Sequence, residues 1–114
     1  EIARSLALNG AEIIAHPSNL VLPHCPQAMI TRCLENRVYA ITANRVGNEN
    51  RVPDEMLHFI GQSQVVDPDG NILIRASEIE EEVQIVEIDL GKAREKFINS
   101  KNDIFKDRRP DLYS

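Results

Sequence analysis

A chain of 114 residues suffices for one small domain and is short for a two-layer enzyme. Hydrophobic residues make up 42% and charged residues 27%, a balance that argues against disorder. With 13 basic residues against 18 acidic and a net charge of −5, the only dense basic cluster (Lys106, Arg108, Arg109) is interrupted by Asp107, which leaves no continuous positive face for nucleic acid.

No apolar run approaches the roughly 20 residues that span a bilayer, and no basic-then-apolar leader opens the chain, so no membrane partner is expected. Two cysteines, Cys25 and Cys33, are too few for a disulfide framework and fit a reducing, cytoplasmic setting. The first residue is Glu1, inside what reads as a helix, and this predicts a truncated start.

Residues 1–9 read as an amphipathic helix with Ile2, Ala3, Leu6 and Ala7 on one side. Asn9-Gly10 stops it, because glycine enters the left-handed conformation without a Cβ clash. The run Ile13-Ile14-Ala15 predicts a strand buried on both faces. Helix, turn and buried strand make the returning half of a βαβ unit, whose first strand would precede residue 1.

Pro17, Pro23 and Pro26 mark a loop unable to continue strand pairing, and Pro26 fits the first turn of a helix over 26–37. Met29, Ile30, Cys33 and Leu34 give that helix one buried stripe. Val38 to Ala43 predicts a second buried strand, and the polar stretch Asn48 to Asp54 a mobile loop. Asp67-Pro68-Asp69-Gly70 places turn residues between Gly61–Asp67 and Asn71–Ala76, which predicts a β-hairpin.

Residues 83–90 read as a strand whose alternation slips between Ile85 and Val86, implying a bulge or a cover on both faces. A helix over 91–98 begins at Gly91, and 99–114 form a polar, extended tail anchored by Ile104, Phe105, Leu112 and Tyr113.

Several residue types invite a chemical reading. Cys25 lies close in sequence to His16 and His24, so a Cys–His nucleophile is conceivable, but most such cysteines are packing residues. Cys33 falls on the buried stripe. The spacings between His16, His24 and His58 match no metal signature, so no metal is expected. Glu78, Glu80, Glu81 and Glu82 read as a solvated turn. Glu35 and Arg37, at a helix end, suit ion pairing or capping.

His16-Pro17-Ser18-Asn19 leaves the C-terminal end of an inferred parallel strand, the edge where open α/β sheets build their sites. The Asn19 amide offers donors and an acceptor to an amide or ureido group; closing a turn is the alternative use of Ser18 and Asn19. Asn44-Arg45 ends the next strand on the same edge, and Arg45 suits either a substrate carboxylate or the bracing of residues 48–54.

His16-Pro17-Ser18-Asn19-Leu20, Glu35-Asn36-Arg37-Val38-Tyr39 and Ala43-Asn44-Arg45-Val46-Gly47, with the opening Glu1 to Leu8 and the tail Asp107-Arg108-Arg109-Pro110, resemble the second half of a nitrilase-superfamily carbon–nitrogen hydrolase. The resemblance runs nearly end to end. It implies an α/β fold forming half of a four-layer αββα sandwich, a mixed sheet with helices on its outer face, with residues 1–114 as the C-terminal part of one domain. It also implies a cysteine nucleophile, a glutamate base and a lysine, all upstream of residue 1, so that no catalytic residue lies in this chain.

The implied substrate is an aliphatic amide, an N-carbamoyl amine or a nitrile. The segment Asn44 to Glu49 looks closer to members acting on the first two. The resemblance implies no cofactor and makes His16, Pro17, Ser18, Asn19, Asn44 and Arg45 the candidate substrate-binding residues. Glu1 resembles the acidic residue after the nucleophile loop, with Arg4 its expected partner, and Glu35 is not the catalytic glutamate. Subunits of the resembled family pair through two helices and a tail, here 1–9, 26–37 and the C-terminus, so a homodimer or larger assembly is expected. A non-catalytic self-associating fragment and a catalytically dead scaffold are the alternatives.

Overall fold

The computed structural model describes residues 1–113. In chain order its elements are α1 (Ile2–Leu8), β1 (Ile13–Ser18), α2 (His24–Asn36), β2 (Tyr39–Asn44), β3 (Asn48–Val52) and β4 (Glu55–His58). There follow β5 (Gln64–Val66), β6 (Ile72–Arg75), α3 (Leu90–Arg94), β7 (Phe97–Asn99), β8 (Asn102–Asp103) and a 3-10 turn over Pro110–Leu112. The central sheet has the order β1-β2-β5-β6, with β1 and β2 parallel and the remaining pairs antiparallel.

Local chemistry explains the punctuation. Gly10 takes φ +92°, and the N–H groups of Gly10 and Ala11 close α1 on the carbonyls of Ala7 and Leu6. Asp67 Oδ1 accepts from the backbone N–H groups of Asp69 and Asn71, and the N–H of Gly70 donates to the Asp67 carbonyl, which fixes the β5–β6 turn.

Ala7, Ile14, Met29, Cys33, Val38, Ala40 and Val66 form the core between the sheet and the helices α1 and α2. The helices α1 and α2 cover this face. The principal extents of 54 × 36 × 18 Å describe a slab about as thin as one sheet plus one helix layer, half of the sandwich. The opposite sheet face is open: Ile13 is 38% and Ile41 41% exposed, and Ala15 and Ala43 are exposed beside them. The expectation of strands buried on both faces holds at the start of β2, where Tyr39 and Ala40 are 2% and 1% exposed, and is corrected for β1 and the rest of β2.

Other expectations change for equally physical reasons. Pro17 continues β1, opposite Ala43, because an edge strand has one backbone side with no partner to lose. α1 turns Ala3 and Ala7 to the core, while Ile2 and Leu6 are exposed along the groove between α1 and α2. Leu34 also faces out; the inward stripe of α2 is Pro26, Met29, Cys33 and Asn36.

Residues 48–58 form the β3–β4 hairpin rather than a loop. Residues 83–89 carry no strand, and Val83 and Ile85 are 93% and 92% exposed, since a strand forms only against a neighbour. α3 is five residues long, opened by Asp89, whose carboxylate accepts from the Gly91 N–H at 2.8 Å.

The tail is not simply extended. β7 pairs with β8, Phe105 packs against the core, and Leu112 and Tyr113 are exposed; Ser114 lies outside the described residues. Arg4 does not turn to Glu1: its guanidinium and the Lys96 ammonium lie 5.7 and 5.1 Å from the Phe105 ring centre. Lys96 also donates to the carbonyls of Asn36 and Arg37, binding this segment to the C-terminus of α2. Among the described residues no helix is long and apolar enough to cross a membrane.

Candidate active-site wall at the strand ends

The parallel register sets Ser18 beside Asn44 and His16 beside Thr42, so β1 and β2 end level with each other. Side chains alternate along a strand. His16, Ser18, Thr42 and Asn44 consequently share the helix-covered face, while Pro17 and Ala43 belong to the open one. The His16 ring lies with Nδ1 3.1 Å from Thr42 Oγ1 and Nε2 3.1 Å from Ser18 Oγ.

Asn44 is the centre of the strand end. Its Oδ1 accepts from the Leu20 N–H at 2.7 Å, and its Nδ2 donates to the Gly61 carbonyl at 2.8 Å and to the Leu20 carbonyl at 3.4 Å. Its backbone N–H donates to Ser63 Oγ at 2.9 Å. One amide thereby ties the loop leaving β1 to the segment entering β5. Both of its donors are engaged within the chain.

Gly61 completes the junction: its N–H donates to the Arg45 carbonyl, its φ is +56°, and a Cβ there would stand 2.5 Å from the Glu78 carbonyl oxygen. That approach to a backbone carbonyl leaves no room for a side chain, and the positive φ adds to the cost of any other residue.

Arg45 pairs with Glu49 at 2.6 Å and lies 4.2 Å from the Phe59 ring centre. Its charge braces the base of the β3–β4 hairpin. Glu49 is shared with Arg51. A cavity of about 380 Å³ opens beside Asn44, Arg45 and Ser63, with Ser77 and Glu80 to Glu82 on its outer rim. Asn19 is exposed, and among the described residues its side chain has no hydrogen-bond partner. Of the six candidates, then, Asn19 presents an uncommitted amide, Asn44 and Arg45 hold the surrounding loops, His16 and Ser18 sit beneath the strand end, and Pro17 belongs to the open face.

Sequence reasoning did not single out Gly61, Ser63 or Thr42. The signal was present only for Gly61, as a glycine opening a predicted strand. Among the described residues no group of three or more His, Cys, Asp or Glu side chains is arranged to hold a metal ion. Cys33 is fully buried, and desolvation, with the Asp67 charge second, pushes its thiol up to about 12. Cys25 approaches His16, with Sγ 3.9 Å from Nε2. Glu35 pairs with Arg32, and Arg37 ends α2 at φ +48°, reaching the Glu95 carbonyl and Asp69.

Comparison with known proteins follows the same lines. A profile of the carbon–nitrogen hydrolase family matches residues 1–96. The chain is 55% identical to a nitrilase of Pyrococcus abyssi over 113 residues, covering 99% of this chain and 41% of that protein. It is 36% identical to an (R)-stereoselective amidase of a Pseudomonas species, covering 96% of this chain and 38% of the relative. Among solved structures, a carbon–nitrogen hydrolase of Helicobacter pylori superposes with a TM-score of 0.76 at 30% identity, over 97% of this chain and 42% of that one. The chain thus spans about two fifths of the length of the curated relatives it matches.

Proposed function

Given that this chain belongs to the carbon–nitrogen hydrolase family, we propose that it is the C-terminal part of a single hydrolase domain that cleaves non-peptide carbon–nitrogen bonds. The observation that carries this reading is the match to a nitrilase at 55% identity over nearly the whole chain. In the intact enzyme a cysteine thiolate attacks the carbon of an amide, carbamoyl or nitrile group. A glutamate takes and returns protons, and a lysine stabilises the charged tetrahedral intermediate before water releases the acyl group. These three residues are supplied from outside residues 1–114, and no cofactor takes part.

This chain contributes a wall of the substrate pocket. His16 to Asn19 line it from β1, with the Asn19 amide directed to the substrate's own amide or ureido group. Asn44 positions that loop through Leu20, and Arg45 holds the β3–β4 hairpin beside the entrance. Aliphatic amides and N-carbamoyl amines are the favoured substrates. Subunits pair through α1, α2 and the C-terminal segment, and the free cysteines Cys25 and Cys33 suit a cytoplasmic protein.

The test is an assay of the intact protein and of residues 1–114 alone against an aliphatic amide, an N-carbamoyl amine and a nitrile. Turnover is expected only from the intact protein. Turnover by the isolated chain that vanishes in Cys25→Ala overturns the assignment and makes Cys25 the nucleophile.

A second reading, a non-catalytic self-associating fragment, is favoured by the uncovered sheet face around Ile13 and Ile41. An intact protein without turnover on any of the three substrates supports it.

A further inference from the structure

Residues 48–58 stand apart from the rest of the chain. Both strands of this hairpin are exposed along their length, with Glu49 alone half-buried. Two strands by themselves are marginal in water, because so narrow a ribbon buries little apolar surface. The Phe59 N–H closes the base on the Gly47 carbonyl at 2.9 Å, and the Phe59 ring is only 3% exposed. Beyond that joint, among the described residues, the Arg45–Glu49 pair is the one hydrogen bond or ion pair between the hairpin and the body of the protein. Arg45 also stacks on the Phe59 ring, so latch and joint form one unit.

The register decides which side chains the latch side carries. Glu49 lies opposite Leu57, and directly opposed residues share a face of the ribbon. Leu57 is therefore on the face that Glu49 turns to Arg45, while Met56 and His58 alternate to the other. Leu57 is 47% exposed, an apolar side chain on the inner side of the hairpin with no core to fill. Arg45 itself lines the cavity of about 380 Å³ beside Asn44 and Ser63, but no residue of 48–58 does, so the hairpin stands open. We propose that the β3–β4 hairpin is a lid that closes over the substrate pocket about the Arg45–Glu49 latch, and that Leu57 is the specificity residue it brings against the substrate. The inference rests on the hydrolase reading and names straight-chain alkyl amides as the substrates that close the lid. Burial of Leu57 against an alkyl chain supplies the free-energy difference between the open and closed states. An amide without such a chain offers no surface to bury, and the lid stays open over it.

The experiment measures kcat/KM of the intact enzyme for straight-chain amides from acetamide to hexanamide. Hydrogen exchange of residues 48–58 is followed alongside, in a variant whose upstream nucleophilic cysteine is alanine, with either amide well above its KM. The parent is expected to gain about fourfold per methylene that Leu57 covers. Leu57→Ala should lower kcat/KM for hexanamide about tenfold more than for acetamide, whereas Met56→Ala, on the outer face, keeps the parent's dependence on chain length. A variant that merely loosened the fold would lose both amides equally. Hexanamide, and not acetamide, should slow exchange in the hairpin about tenfold or more. Unaltered chain-length dependence in Leu57→Ala overturns the proposal. So does a hairpin equally protected with and without hexanamide, which assigns its cover to another part of the domain. Those two results leave the hydrolase reading standing. Absence of turnover on every amide, N-carbamoyl amine and nitrile overturns that reading and the lid with it.

Discussion

Asn44 grips Leu20 by both of its backbone groups, accepting from the N–H at 2.7 Å and donating to the carbonyl at 3.4 Å. Asn44 ends β2 and Leu20 lies in the loop that follows β1, so this one amide fixes where that loop comes to rest. Removing it in Asn44→Ala leaves the Leu20 N–H and the Gly61 carbonyl without their partner. The expected loss is about 1–3 kcal/mol in urea unfolding. Asn19→Ala, at an exposed amide with no hydrogen bond among the described residues, is expected to stay within about 0.5 kcal/mol of the parent. Equal losses in the two variants would remove Asn44 from its bracing role.

The same junction makes Gly61 irreplaceable by alanine. A methyl group there meets the Glu78 carbonyl oxygen at 2.5 Å, and the φ of +56° is itself unfavourable for an L-residue. Gly61→Ala should therefore cost at least the roughly 1–2 kcal/mol of a left-handed residue. Thermal unfolding of Gly61→Ala beside Gly47→Ala, whose added methyl meets nothing within 4 Å, isolates the steric part.

Acid should loosen the β5–β6 turn from α3. Lys92 pairs with Asp67 at 2.9 Å and with Asp69 at 2.7 Å. Burial works to raise the Asp67 carboxyl, but the N–H of Asn71, the Lys92 ammonium and two further hydrogen bonds outweigh it and hold it below the usual range. Lys92, then Arg37, lowers Asp69. Groups whose folded values are depressed contribute stability above their unfolded pKa of about 3.9 and lose it as the pH falls through the folded value. The parent should therefore lose stability below about pH 4, and Lys92→Met should lose less over the same interval. Thermal midpoints of both proteins between neutral and strongly acidic pH are the measurement, and parallel curves would dismiss the ion-pair account.

The open sheet face should make the isolated chain associate. Ile13, Ala15, Ile41 and Ala43 form a contiguous apolar surface that monomers rarely leave in water. Light scattering at micromolar concentration is expected to give a dimer or larger species, and Ile41→Glu to shift it toward the 12.9 kDa monomer. A well-folded parent that is already monomeric would defeat this expectation.

In the intact enzyme, Asn19→Ala and Arg45→Ala are expected to lower kcat/KM by the equivalent of about 1–3 kcal/mol each. Asn19 should act by losing a substrate contact. Arg45 should act by releasing the hairpin that Glu49 and Phe59 hold. Unchanged kcat/KM in both variants across amides, carbamoyl amines and nitriles would place the pocket wall elsewhere.

Features governed by a few adjacent residues were legible in the sequence. Gly10 ends α1, the Asp67 to Gly70 turn joins β5 to β6, and the motifs around His16, Asn36 and Asn44 carry the family likeness. Each follows from local backbone preference or from residue order, which require no knowledge of distant neighbours. Tertiary structure decided the rest. Whether Ile13 and Ile41 are buried depends on what lies across the sheet, and whether residues 83–89 form a strand depends on a partner for their backbone groups. Alternation of apolar residues states a readiness to be covered, not the presence of a cover. Likewise the sequence placed Asn44 and Arg45 at one edge, but only the folded chain engaged the donors of Asn44 with Leu20 and Gly61 and the charge of Arg45 with Glu49. A side chain's role is set by which partners reach it first, and those partners come from strands and loops far along the chain.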